Sequence, residues 1–154
     1  AASYNAMNEH ELAIIARIND ARAARGIAPL TPDNRLTAAS RGHAEDMAAH
    51  PGMVHIGSDG SDGGARIRRA GYRGAYWGEL TGWGFGGDPA AMVNWWLNSP
   101  DHVGHLLDPA MTDIGAGYAT GLGPWGSYWT VDMGAGDSAA ATFWSYAPVA
   151  MGGG

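Results

Sequence analysis

The chain has 154 residues, no cysteine, and a formal net charge of −6 from nine basic and fifteen acidic side chains. This length fits one domain with a core large enough to fold without disulfide bonds, and the lack of cysteine excludes thiolate nucleophiles and Cys-ligated zinc. The acidic balance argues against nucleic acid as a partner, and no stretch approaches the ~20 apolar residues that a membrane span needs.

The first half of the chain is predicted to be helical. Asn8 and Glu11 have the spacing of a capping box at the start of a first helix, and Gly26 is a natural end for it. A second helix is expected to begin at Thr31-Pro32 and to end near His50, because the next two residues are Pro and Gly.

The pattern changes after a polar, Gly-rich turn. Ser61 is expected to cap a short helix that stops at Gly71. Residues 76–83 are predicted to form a strand, and Pro89 opens a further helix.

The last part of the chain combines one short helix with two strands. Ser99-Pro100 is expected to start the helix, with His102 in its first turn. Residues 113–120 and 127–133 are predicted to be strands joined as a hairpin. Helices followed by antiparallel strands favour an α+β fold with a small sheet covered by helices, and not a doubly wound parallel sheet.

Three residues beside Gly or Pro are candidates for chemistry: His55, Glu79 and His102. In a first helical turn, the helix dipole should disfavour protonation of His102, and a neutral imidazole suits a metal ligand or a general base. The alternative is a histidine that only makes a hydrogen bond near a helix end. His105, three residues later, either shares the face of His102 or lies on the surface.

The position of Glu79 has two interpretations. In a central strand, its carboxylate would be buried and would have to be paired, ligated or protonated. At a sheet edge, it would lie in water. The sequence alone leaves both open.

Nine segments of the chain, taken in order, resemble the CAP superfamily of cysteine-rich secretory proteins, venom antigens and plant pathogenesis-related proteins, in its bacterial, cysteine-free branch. The resemblance covers about residues 8–136, and residues 1–7 and 137–154 would be an N-terminal tail and a C-terminal extension. The segments are Ile18-Asn19-Asp20-Ala21-Arg22, Gly26-Ile27-Ala28-Pro29-Leu30, His55-Ile56-Gly57-Ser58-Asp59-Gly60-Ser61, Arg66-Ile67 with Ala70-Gly71-Tyr72, Trp77-Gly78-Glu79, Trp95 to His102, Leu106-Leu107, Asp113 to Gly117, and Tyr128-Trp129-Thr130.

The resemblance implies an α-β-α sandwich with a central antiparallel sheet. It also implies an open cleft with two histidines and two acidic residues, which binds a divalent metal such as Zn²⁺ in some members. His55 and His102 match the two family histidines and would be the metal ligands, and Glu79 matches the family Glu. In an enzyme, these three would be the catalytic residues.

The chain departs from the family pattern at two positions. The second acidic residue, a Glu in many eukaryotic members, is absent, and Asp59, Ser61 and Asp62 are the nearest candidates for its place. The Asn that follows the family Glu is Leu80 here.

We therefore expect a secreted, monomeric binding protein whose metal-capable cleft takes an extracellular lipid, glycan or peptide. The sequence begins with Ala1-Ala2-Ser3, as it would after removal of a signal peptide. One alternative is a metal-dependent, peptidase-like hydrolase that uses the same cleft. A second is an extracellular scaffold in which the cleft is vestigial.

Overall fold

The computed structural model describes residues 7–121 and 123–136, which form five α-helices and four strands. The predicted tails therefore lie outside the described residues, except for Met7. The helices are α1 (Glu9–Ala23), α2 (Asn34–Ala49), α3 (Gly63–Arg69), α4 (Pro89–Leu97) and α5 (Val103–Leu106). The strands are β1 (Thr31–Pro32), β2 (Tyr76–Trp83), β3 (Asp113–Thr120) and β4 (Ser127–Ala135).

The four strands form one sheet in the order β1-β3-β4-β2. The three long strands are antiparallel, as predicted. The short β1 pairs with β3 in parallel, so the sheet is mixed. The predicted start of the second helix at Thr31-Pro32 is wrong, because these residues form β1 and Asp33 caps α2 instead.

Two other predicted helix starts are displaced in the same direction. The side chain of Asp62, and not that of Ser61, accepts a hydrogen bond from the backbone of α3. Ser99 closes a turn by accepting hydrogen bonds from the backbone N–H groups of His102 and Val103, so α5 begins only at Val103. His102 is therefore the N-cap of α5 and does not lie in its first turn.

Helices cover both faces of the sheet. Alternate residues of β4 contact opposite layers, because successive side chains in a strand point to opposite faces. Trp129 packs with Ile14 of α1 and Trp96 of α4, whereas Asp132 contacts Ser40 of α2. This arrangement confirms the predicted α-β-α sandwich.

The backbone of α2 lies directly against β3. A Cβ atom at Gly115 would overlap the backbone of Leu36 and Thr37, and one at Gly117 would overlap that of Ser40. The two glycines let the helix approach the sheet closely, which fixes the position of Ser40 beside the buried end of the candidate site. No helix within residues 7–121 and 123–136 has the length and apolar character needed to cross a membrane.

Candidate functional site

Glu79 lies on β2, an edge strand among the described strands, yet its side chain is only 2% exposed. The structure therefore combines the two alternatives that the sequence left open: the strand is at the edge, but the carboxylate is buried. Arg66 of α3 and His55 of the preceding loop cover it, so segments outside the sheet help to exclude water.

Arg66 is the main partner of this carboxylate. Its side chain is 8% exposed, and one guanidinium nitrogen, Nη2, donates to both oxygens of Glu79 at 2.9 and 2.8 Å. The same nitrogen donates to the carbonyl of His55, and Nη1 donates to the carbonyl of Ser61. A single buried cation thus joins the loop before α3 to strand β2.

His55 contributes a half-exposed ring to the site. Its Nδ1 lies 3.0 Å from Oε1 of Glu79, and the side chain is 47% exposed. Burial acts to raise the pKa of Glu79, but hydrogen bonds with His55, Asp132 and Arg66, together with the charge of Arg66, lower the pKa to about 2. Glu79 is therefore a carboxylate at neutral pH.

Asp132 completes the buried end of the site from strand β4. It is fully buried, and the hydroxyl of Ser40 donates to its Oδ2 at 2.8 Å. Burial, followed by the charge of Glu79 and their hydrogen bond, raises the pKa of Asp132 well above its usual range. The two pKa shifts are opposite in direction, so of the two carboxyl groups Asp132 is the one that binds a proton more readily.

His102 approaches from the turn after α4. Its Nδ1 lies 2.7 Å from the hydroxyl of Ser99, and its ring is 5.1 Å from that of Trp95. Burial lowers the pKa of His102, and the nearby charges of His55 and His105 act in the same direction against that of Asp101. Burial thus favours a neutral imidazole. The helix dipole is not the reason, since His102 lies outside the first turn of α5.

The three candidates for the missing acidic position make contacts within their own loop and with helix α3. Asp59 is half exposed, accepts hydrogen bonds from Ser61, and pairs with Arg69. Hydrogen bonds with Ser61 and Arg69 hold the pKa of Asp59 well below its usual range. Asp62 caps α3. A role of Asp59, Ser61 or Asp62 in the cleft stays a prediction.

The remaining histidines have structural partners. The ring of His105 packs on β2, where a Cβ at Gly78 would lie 2.7 Å from its Nδ1. His43 is buried and its Nε2 is 2.6 Å from the carbonyl of Val54. His50 lies at the exposed end of α2, beside Asp46. His10, to which the sequence assigned nothing, stacks on the ring of Tyr118.

An open cleft of about 400 Å³ adjoins His102. Its wall includes four aromatic residues besides His102: Trp83, Phe85, Trp95 and Trp125. Phe85, Trp95 and Trp125 are 48%, 46% and 41% exposed. We call these four residues with His102 the aromatic cleft. Soluble proteins seldom leave several large rings exposed together, so the cleft is a candidate binding surface.

Phe85 has an unusual backbone conformation within this cleft. Its φ is +57°, and the glycines at positions 84, 86 and 87 also have positive φ, so four consecutive residues are left-handed. A bulky residue in this region is strained and persists only where the surroundings enforce it. Such strain is common at functional sites. Here the strained residue contributes its ring to the wall of the cleft.

A family comparison identifies the domain that carries this site. The family described as "CAP: Cysteine-rich secretory protein family" matches residues 15–133, which is well over half of the chain. The chain belongs to this family. The predicted membership and α+β fold are thereby confirmed.

Solved CAP structures share the fold. An extracellular protein with an SCP domain from Bacillus anthracis is 22% identical, with a TM-score of 0.72 over 82% of this chain. An outer surface protein of Borrelia burgdorferi is 20% identical, with a TM-score of 0.71 over 79% of this chain and 89% of its own. A cysteine-rich secretory protein of Staphylococcus aureus is 14% identical, with a TM-score of 0.65 over 82% of this chain.

This CAP domain spans 40% of the Bacillus protein and 38% of the Staphylococcus protein. No curated protein matches the chain significantly. At these identities the likeness shows the fold alone.

The divalent metal that the CAP resemblance implies does not fit a site that includes Glu79. Both oxygens of Glu79 accept hydrogen bonds from Arg66, and Oε1 is also paired with His55. Within residues 7–121 and 123–136, no group of three or more His, Cys, Asp or Glu side chains is placed to hold a metal ion. Binding of Zn²⁺ by His55 and His102 without Glu79 stays a prediction.

Sequence reasoning missed three residues of the CAP site: Arg66, Asp132 and Ser40. Asp132 carried a usable signal, because an acidic residue inside an otherwise apolar strand must find a partner when that strand is buried. Arg66 and Ser40 carried none, since charged and hydroxyl residues are common on exposed helix faces.

Proposed function

We propose that this chain is a secreted CAP-domain binding protein whose extracellular ligand lies in the aromatic cleft. One observation carries the proposal: Phe85, Trp95 and Trp125 expose their rings around one open cleft of about 400 Å³. The volume lies within the range of small-molecule sites, which are mainly apolar and carry a few polar groups. Secretion is supported by the relatives described as extracellular or outer surface proteins.

The ring faces favour a ligand with a flat or extended apolar surface. The rings of Trp83 and Trp125 contact each other at a tilt of 44°, with 5.4 Å between their centroids, and form one wall. His102, beside Trp95, supplies a polar group that can donate or accept a hydrogen bond at the edge of the ligand. Lipids, glycans and peptides with aromatic or proline residues all offer such a combination.

A binding screen with three defined probes tests the proposal. Chitotriose, palmitate and a proline-rich decapeptide are titrated into the protein while tryptophan fluorescence and calorimetric heat are followed. We expect saturable binding of at least one probe, with a loss of affinity of tenfold or more in Trp95→Ala and in Trp125→Ala.

Tyr76→Ala is the matched control, because Tyr76 is also about half exposed and bonds to Asp108 outside the cleft. It should bind the probe as the wild type does. Failure of all three probes to bind, or equal binding in every variant, would contradict the proposal and favour the scaffold alternative.

Hydrolysis is a second candidate function, supported by the contact between Ser99 and His102. A hydroxyl 2.7 Å from a histidine with a lowered pKa is within reach of general-base activation. Ester and peptide substrates should then be cleaved by the wild type and not by Ser99→Ala. Equal rates in both proteins would remove this candidate.

A further inference from the structure

We infer that Arg66 takes the place of a metal ion in the site formed by His55 and Glu79. Its guanidinium group is a cation that holds Glu79 and the loop of His55 together. This inference concerns the buried end of the site and does not depend on the ligand of the aromatic cleft.

The contacts of Arg66 join the same parts that a metal ion would join. A metal bound by His55 and Glu79 would link the loop before α3 to strand β2. Arg66 makes this link with Nη2, which donates to Oε1 and Oε2 of Glu79 and to the carbonyl of His55. Nη1 extends the link to the carbonyl of Ser61 at 2.7 Å.

The charges of the buried groups are already balanced. Glu79 carries one negative charge and Arg66 one positive charge, and the two side chains are 2% and 8% exposed. A guanidinium does not lose its proton in proteins. A divalent ion at a bonding distance of roughly 2 Å from Glu79 would therefore lie close to a second cation in a poorly solvated place, where like charges repel strongly.

The hydrogen bonds that Glu79 already accepts also argue against a metal ion on its carboxylate. Oε1 of Glu79 already has two partners, Arg66 and His55, and Oε2 also accepts a hydrogen bond from Arg66. A metal ion could use Glu79 only after Arg66 had been displaced from its four acceptors. Removal of the guanidinium should therefore open the carboxylate to a metal ion.

Calorimetric titration of metal-stripped protein with Zn²⁺ near pH 7.5 tests this inference. The single variant Glu79→Gln should have the same Zn²⁺ affinity as the wild type, since Glu79 is not a ligand in the wild type. Arg66→Met keeps the apolar length of the side chain without its charge, and it should raise the affinity at least tenfold. The double variant Arg66→Met with Glu79→Gln should lose that gain.

Arg69→Met is the matched control. Arg69 lies on the same helix as Arg66, but it pairs with the exposed Asp59 and not with Glu79. It should bind Zn²⁺ as the wild type does. A wild type that binds one Zn²⁺ and loses it in Glu79→Gln would overturn the inference, and so would an Arg66→Met variant with unchanged affinity.

A second measurement covers the case in which Arg66→Met does not fold. The melting temperature of the wild-type protein, as purified, is compared with and without a chelator. If Arg66 holds the site, the chelator should leave the melting temperature unchanged, whereas Arg66→Lys, which cannot form the same fork, should lower it. A melting temperature that falls with the chelator and is restored by Zn²⁺ would contradict the inference.

Discussion

Glu79 and Asp132 lie directly opposite each other on β2 and β4, and their buried carboxyl groups share a hydrogen bond across the strand pair. Two carboxyl groups can form such a bond only if one of them keeps its proton. Asp132 is the group that favours the proton, because burial and the charge of Glu79 raise its pKa, whereas hydrogen bonds with His55 and Arg66 lower the pKa of Glu79. Glu79 therefore meets Arg66 and His55 as an ionised group.

Asp132→Asn should preserve this arrangement and change its pH dependence. The amide can donate to Glu79 and accept from Ser40, as the protonated acid does. The raised pKa of Asp132 contributes stability that is complete below its ordinary value of 3.8 and is lost as pH rises through the folded-state pKa. The variant lacks this loss, so its free energy of unfolding should rise relative to the wild type above about pH 4.

Urea unfolding between pH 4 and pH 9 measures the difference. Asp20→Asn, at an exposed position of α1, is the control and should show a constant difference from the wild type. A constant difference for Asp132→Asn as well would show that the proton is not held at this position.

Arg22→Met should destabilise the fold by about 3 kcal/mol or more. Arg22 is fully buried and donates to four backbone carbonyls, those of Ala28, Leu106, Asp108 and Met111. Its loss would leave these acceptors unpaired where α1 meets the segment between α5 and β3. Chemical unfolding provides the test, with Arg25→Met as an exposed control that should change stability by less than about 0.5 kcal/mol. Equal effects would contradict this role of Arg22.

Phe85→Gly should stabilise the protein by about 1 kcal/mol and weaken ligand binding. Glycine adopts a φ of +57° without strain, and the half-exposed ring contributes little packing. Thermal unfolding and the probe titration measure the two effects. Ile56→Gly, at a more exposed residue without positive φ, should bring no gain in stability. A less stable Phe85→Gly variant would show that the ring packs for stability and not for binding.

Gly115→Ala should be among the most damaging small substitutions in the chain, with a cost of roughly 3 kcal/mol. The added methyl group would overlap the backbone of Leu36 and Thr37, and neither element can move without separating α2 from the sheet. Gly104→Ala is the control: its Cβ meets nothing within 4 Å, and alanine favours the helix. The denaturant midpoints of both variants are compared with that of the wild type. A midpoint for Gly115→Ala equal to that of the wild type would contradict the close packing of α2 on β3.

The long elements could be predicted because their signals are local. Residues 76–83 and 113–120 carry the strand pattern, and both strands have the predicted bounds. The helix caps predicted at Thr31, Ser61 and Ser99 were misplaced by one to three residues. In each case several neighbouring residues could begin the helix, and for α2 pairing with another segment decided which one does. Thr31 and Pro32, for example, pair with β3, 82 residues further along the chain.

The candidate residues were predictable for a different reason. His55, Glu79 and His102 stand beside Gly or Pro in segments that resemble the CAP family, so their identity could be inferred without coordinates. Their chemistry could not be inferred, because it depends on neighbours. Arg66 is 13 residues from Glu79 in the chain, and Ser40 is 92 residues from Asp132.

The sequence by itself determined the family, the α+β class and the order of the helices and the three long strands, since these depend on local patterns and on an ordered set of motifs. The tertiary structure alone decided that Glu79 is buried at a sheet edge, bound by Arg66 and ionised beside an Asp132 whose pKa is raised. The ionisation of a buried group depends on the charges and hydrogen-bond donors around it, and here the fold brings those from α3, β4 and a loop.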